Sequence, residues 1–506
     1  MIEQYIPSVS DPFDYSRAGH LLRRCVIGVR DAEIRNAVEQ GLEQTLDTLL
    51  TPWSPDMQFI DEFAYNTEAQ VVPPADGKDY APWFWEKMRL LNTYFIWQLQ
   101  NVVKSPLSIQ ERLWFCWHRH FCVRSGVFAE FSLDYNEVLR RNSMGNFKQF
   151  FTEITLDVEM QTFLSFYENL NPENGKERLN ENYAREMMEL FTCGITDADG
   201  KPNYTQRDIR EAARSLTGWY YNINEANHHQ RRKTLYTPER HDDGVKTYLG
   251  QTGKWNTFDV IDILFRERAE AIAYRICYKL CTWFVSDTPD TQIVRTLAGS
   301  FLKNNWELKP VIRELLGSRY FFDKQHIGVL KKSHIEYVIG MVRQFSLTNI
   351  PDFAKKQNRT GDLNPRLRSW GEYPHSPANV GGWTGGRDWV NSSVLSQRMK
   401  FAADVVLGRL ENFSNPSVEK MTYWFNPVAF AKELPEHTDL TGLADALTRA
   451  LLPVSPNDID ARKIHDALAA GASLYEWDID NPKHQPVERI RACLEQIVSH
   501  PAYQLY

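Results

Sequence analysis

The chain has no run of about 18 apolar residues, the length a helix needs to cross a bilayer, so a membrane span is not expected. Its first fifteen residues carry acidic side chains and two prolines where a secretory leader needs a basic end and an apolar stretch. That predicts a cytoplasmic location. Long basic runs are absent, and 58 Lys plus Arg against 65 Asp plus Glu leave a net charge of −7, which argues against nucleic acid as the main partner. Cysteine is sparse: the seven residues at 25, 116, 122, 193, 277, 281 and 493 are scattered among apolar and aromatic neighbours. Cys277 and Cys281 would share a helix face, a poor geometry for a disulfide, so reduced core thiols are expected. Several catalytic signatures are missing as well. There is no P-loop, no dinucleotide-binding glycine motif, no His-Glu-x-x-His, no Gly-x-Ser-x-Gly and no Cys-x-x-Cys. Nucleotide-dependent, zincin and α/β-hydrolase chemistry lose their support.

What is present is helical periodicity over 506 residues, long enough to bury a large core. Asp31 can cap a helix whose apolar residues Ile34, Val38, Leu42, Leu46 and Leu49 recur at three- and four-residue steps. An aromatic-rich segment follows at 82–103, then start signals at Ser105-Pro106 and Ser108 to Glu111. Further helices are predicted at 133–151, 181–193, 206–217, 258–285, 291–304, 310–317, 333–345, 396–407 and 486–499. The fold class is therefore all-α, with minor hairpins at most. A main helical body over 1–408 and a C-terminal helical region over 409–506 packed on it are expected.

Two long excursions interrupt the pattern. Residues 221–255 are polar and could carry a short hairpin. Residues 361–390 are rich in Gly, Pro and Trp, with Pro374-His375-Ser376-Pro377 and Gly381-Gly382-Trp383-Thr384-Gly385-Gly386, and loops of this size are often functional. Trp370, Trp383 and Trp389 there could line a pocket or plug an irregular loop. A weaker break lies near Asn412 to Pro416.

The densest candidate chemistry lies between Asn180 and Gly194. On a helix, Tyr183, Met187, Leu190 and Phe191 form an apolar arc, with Asn182, Glu186, Glu189 and Cys193 on an adjacent stripe. Such carboxylates could act as acid and base or hold a metal; they could equally pair with Arg185 or Arg214. Thr205 and Asp208 form a capping box for the next helix, which carries Glu211 and Arg214. Glu186, Glu189 and Glu211 could thus face one another, with Arg185 and Arg214 offsetting their charge. His118 and His120 in Trp117-His118-Arg119-His120-Phe121 would lie about 200° apart on a helix and meet at one ion only where the helix end unwinds. His241 and Asp242 could join them. The set His118, His120, Glu186, His241 and Asp242 would suit zinc, iron, manganese or copper. Glu225 with His228-His229 reads as a solvated loop.

At these residues the sequence resembles the bacterial family called domain of unknown function 1800. The likeness runs from His20-Leu21-Leu22-Arg23-Arg24 through Trp117 to Phe121, Asn180 to Gly194, Tyr204 to Trp219 and His241 to Lys246, then Pro377 to Trp383 and the tail Ser499 to Tyr506. The resemblance implies a mostly helical protein, often encoded beside companions of the domain-of-unknown-function 1501 family, and export alongside such a signal-bearing partner is the alternative to a cytoplasmic location. The chain departs from the family at His334, where relatives commonly carry proline. Two functions follow as expectations. One is a metal-dependent hydrolase or oxygenase acting on a peptide or small molecule; the other is a non-catalytic scaffold or maturation partner that binds a companion protein.

Overall fold

The computed structural model describes residues 1–55, 77–126, 129–169, 179–222, 233–347, 363–409, 425–472 and 476–506. Helices dominate them, and the strands amount to two short antiparallel pairs. Among the described residues no helix is long and apolar enough to cross a membrane. Apolar side chains from Ile2 to Tyr503 pack into one continuous core. All seven cysteines are buried in the reduced form.

Local signals explain most element ends. The helix Asp31–Leu49 begins one residue earlier than a cap at Asp31 predicts, because Arg30 takes the capping position and Asp31 opens the first turn. Thr205 caps Gln206–Ser215 by accepting from the Asp208 N–H, and Asp208 returns a bond to the Thr205 N–H. Ser333 and Glu336 form the same reciprocal pair at His334–Gln344. His334 occupies the first helical position there, the place where proline also fits, so the family departure leaves the turn intact.

Besides Asp31–Leu49, which kinks at Gly41 where φ is +78, two long helices expected from periodicity are in fact broken. The segment 133–151 divides into Ala129–Asn142 and Phe147–Thr155, because Asn146 caps a new helix after the turn at Gly145. The segment 258–285 divides into Thr257–Glu267 and Ala269–Phe284 at Arg268, whose backbone leaves the helical region. Apolar periodicity continues across both joints, which is why it does not register them. Within the polar excursion, Lys246–Tyr248 pairs with Gln251–Gly253 across Leu249 and Gly250, both at positive φ as a tight hairpin turn requires. Trp219–Tyr220 pairs with Leu235–Tyr236. Glu225, His228 and His229 lie outside the described residues, as does the break near Asn412 to Pro416.

The C-terminal helices share the main core. Pro486–Ser499 packs on Ser392–Val406, and Arg23 donates to the carbonyls of Arg449 and Ala450 at 2.8 and 3.1 Å. The last turn folds back over the centre: the Tyr506 N–H donates to Leu330 O at 2.9 Å, and Arg112 donates to the Tyr506 hydroxyl at 2.8 Å.

Candidate functional site

The helix Gln110–His120 organises the site. Residues four and seven apart share a helix face, so Arg112, Cys116 and Arg119 lie on one side while Trp114 and His118 lie on another. Opposite the first face runs Ala269–Phe284, which contributes Lys279 and, one turn on, Trp283. The guanidinium carbons of Arg112 and Arg119 each sit 4.7 Å from the Trp283 ring. Arg112 lies 4.4 Å from Tyr506 and Arg119 4.8 Å from Trp389. Cations and rings therefore alternate through five layers, an arrangement in which each ring face attracts positive charge.

This stack borders a cleft of about 920 Å³, closed on another side by Trp383, Gly385 and Gly386 of the Gly/Trp loop. The loop reaches the helix end through Gly382, at φ +88, where a Cβ would stand 3.0 Å from Arg119 O. Only glycine meets both demands without strain. Nearby, the Cys122 thiol donates to Val380 O at 3.0 Å. Trp383 and Trp389 thus line the cleft, whereas Trp370 packs against His334 and Phe401 in the core.

Charge in the wall is unevenly matched. Arg112 pairs with Glu336, Arg119 with Glu372, and Lys331 with Asp287 at 3.0 Å. Burial acts to raise the Glu372 carboxyl, but Arg119 and the Ile335 N–H, 2.8 Å away, outweigh it and hold it below the usual range. Lys279 differs: it has no carboxylate partner among the described residues, and its amine donates to His120 Nδ1 at 2.7 Å. His120 in turn donates from Nε2 to Phe191 O at 3.0 Å, which fixes its tautomer. Burial, with Arg275 adding repulsion, pushes the Lys279 ammonium down to about 8. Burial and Lys279 keep the His120 imidazole neutral, well below its ordinary value. The indole nitrogens of Trp283 and Trp383 are buried and lack an acceptor among the described residues.

The residues singled out from sequence fall into separate places. His120 lines the cleft, but His118 turns to the far side of its helix, stacked on Trp114 at 5.4 Å and packed on His375 at 4.4 Å. Its Nε2 accepts the His375 N–H at 3.0 Å, and burial takes its imidazole down to about 3. The helix does not unwind at its end to bring the two histidines together. Arg214 binds Asp242 through Nε at 2.7 Å and Glu211 through Nη1 at 2.9 Å, while His241 Nδ1 sits 3.0 Å from Thr217 O. Arg214, Glu211 and Asp242 form an ion-pair cluster of their own. Glu189 accepts from the Tyr204 hydroxyl at 3.3 Å, and Arg185 reaches Gln206 and Glu181. Burial and the neighbouring Glu189 raise the Glu186 carboxyl. Among the described residues no group of three or more His, Cys, Asp or Glu side chains is placed to hold a metal ion, so the donor set expected for zinc, iron, manganese or copper does not converge.

Sequence reasoning passed over Arg112, Arg119, Lys279 and Trp283. The signal was available in part: Arg112 and Arg119 repeat at seven residues within a helix of large aromatic side chains, and Lys279 interrupts the apolar run from Ile276 to Phe284. That the two helices face each other is not written in either segment.

Fold and cleft together define an all-helical protein with a ligand-sized cavity walled by cations and indoles. The chain belongs to the family described as Protein of unknown function (DUF1800), whose model matches residues 20–505, as its motifs led one to expect. No curated protein and no solved structure matches it.

Proposed function

We propose that this protein is an enzyme acting on a small anionic molecule that carries a planar, unsaturated group, bound between the Gln110–His120 and Ala269–Phe284 helices. The supporting observation is the surplus of donors in the cleft wall. Arg112, Arg119 and Lys331 have carboxylate partners, while among the described residues the Lys279 amine and the indole N–H groups of Trp283 and Trp383 have no anion or acceptor of their own beyond His120. Buried donors without acceptors are costly, and an anionic ligand supplies the missing oxygens. The flat faces of the tryptophans suit an unsaturated group, and the volume falls within the range of small-molecule sites. This reading keeps the small-molecule part of the expected function and moves its centre from the carboxylates of 182–193 to the cationic wall.

Titration of tryptophan fluorescence with benzoate, acetate, inorganic phosphate and benzylamine tests it. Benzoate quenches the emission saturably, acetate and phosphate bind more weakly, and benzylamine has no effect. Lys279→Gln weakens benzoate roughly tenfold or more, the loss of one charge-assisted hydrogen bond. Absence of saturable binding by every anion overturns the proposal.

A further inference from the structure

We propose that Lys279 is a nucleophilic amine that forms an imine with a carbonyl compound bearing an anionic group, with His120 as its positioning residue. The inference deepens the anionic-ligand reading of the same cleft and rests on it.

The geometry supports it in three ways. Lys279 lines a cleft large enough for a small molecule, so a carbonyl carbon can reach its nitrogen. Among the described residues it lacks the carboxylate that holds an ordinary buried lysine as an ammonium; the groups around it are His120, Arg275, Cys116 and Cys122. Finally, its hydrogen bond to His120 Nδ1 fixes the amine at 2.7 Å from an acceptor whose other nitrogen is committed to Phe191 O. A desolvated lysine beside another cation is one of the recognised routes to a reactive amine. The wall cations Arg112, Arg119 and Lys331, with the indole N–H groups of Trp283 and Trp383, then serve the anionic end of the substrate.

The reaction balances without an oxidant or reductant. The free amine attacks the carbonyl carbon, a C–N bond forms, and the carbonyl electron pair moves to oxygen. Proton transfer from nitrogen to oxygen gives a carbinolamine, which loses water as the C=N bond forms. Ammonium and aldehyde together become iminium and water. His120 Nδ1 is placed to orient the amine hydrogen during attack.

Reductive trapping on the full-length protein tests this at pH 7, using glyoxylate as a small anionic aldehyde, propanal as its neutral counterpart, and sodium cyanoborohydride. Modified lysines are mapped by peptide mass spectrometry. A shift of the ammonium to about 8 raises the free-amine fraction by roughly two orders of magnitude, and the lower basicity takes back part of that gain. Lys279 is therefore expected to react with glyoxylate at least about tenfold faster than the exposed Lys201 and Lys254, and to prefer glyoxylate over propanal. The mapping is made within the wild type, so it does not depend on a variant that folds. His120→Asn, which keeps an acceptor near the amine, retains more of the labelling than His120→Ala. Labelling of Lys279 at the rate of Lys201 and Lys254 overturns the inference. The benzoate titration is read separately: saturable quenching with an unreactive Lys279 leaves the anion cleft standing, and loss of both removes the two together. Equal trapping by glyoxylate and propanal retains the nucleophile and removes the anionic specificity.

Discussion

Gly28 and Gly340 touch through their backbones, and alanine at the two positions is predicted to have effects of opposite sign. Gly28 joins the first two helices at φ +73, and a Cβ there would stand 2.3 Å from Gly340 O and 2.9 Å from its Cα. Both are main-chain atoms of the His334–Gln344 helix, so no rotamer change relieves the clash. The left-handed backbone costs an L-residue about 1 kcal/mol, and forcing a methyl against fixed backbone adds about 1–3 kcal/mol. Gly28→Ala should therefore lose about 2–4 kcal/mol. At Gly340 the geometry is reversed, since its Cβ would find Gly28 N at 3.5 Å and Ile27 Cγ2 at 3.7 Å, ordinary contact distances. Gly340→Ala keeps the packing and gains about 1 kcal/mol of helix propensity. With an unfolding entropy of about 2 cal/mol/K per residue, a chain this long shifts its apparent Tm by about 1 °C per kcal/mol. Calorimetry at a fixed scan rate should show Gly28→Ala down by about 2–4 °C and Gly340→Ala up by about 1 °C. Hydrogen exchange should localise the loss to the Gly28 turn, where Arg343 donates to Gly28 O at 2.9 Å. Equal responses of the two variants would refute the close approach.

Two further outcomes follow. Burial pushes the Glu159 carboxyl up to about 8, with Ser132 as its hydroxyl neighbour at 3.4 Å. The folded state thus holds a proton that the unfolded chain releases near pH 4.5, and stability falls as pH rises from there through about 8; Glu159→Gln should flatten that slope and exceed the wild type above pH 8, and parallel stability curves from urea unfolding would contradict it. His118→Ala removes a buried ring and should lower stability by about 2–4 kcal/mol while leaving metal content, read by elemental analysis of the folded variant, equal to that of the wild type; near-stoichiometric metal lost with His118 would restore the histidine-centred site.

The sequence is most informative where cause and effect lie within a few residues. The capping box at Thr205 and Asp208 and the start at Ser333 depend on local side chain to backbone bonds, the stop at Ser499 has Pro501 just beyond it, and all are legible. The breaks at Gly145 and Arg268 are not, because apolar residues on both sides keep the three- and four-residue rhythm. The candidate site is harder still. Helical geometry alone already separates His118 from His120, yet deciding which of them meets the cleft requires Ala269–Phe284 to be placed. Glu211, Arg214 and Asp242 do come together, in an arrangement where the arginine supplies the neutralising charge that a metal would otherwise provide. Arg112 and Arg119 pair with Glu336 and Glu372, more than two hundred residues away, and no local pattern announces such a partner.

The inward-folded tail bears on how the molecule is made. Arg112 waits for the ring of Tyr506, a separation of 394 residues, and Leu330 likewise receives the Tyr506 backbone N–H. During synthesis the Gln110–His120 helix emerges early with two guanidiniums whose partners are still untranslated. The cleft wall can close only after Tyr506 has left the ribosome, so this surface stays open while the 394 residues after Arg112 are translated. Contacts so distant in sequence slow folding and leave apolar faces accessible in the meantime. Ligand binding should therefore appear as one of the last events of refolding, after the bulk of the helical signal has returned.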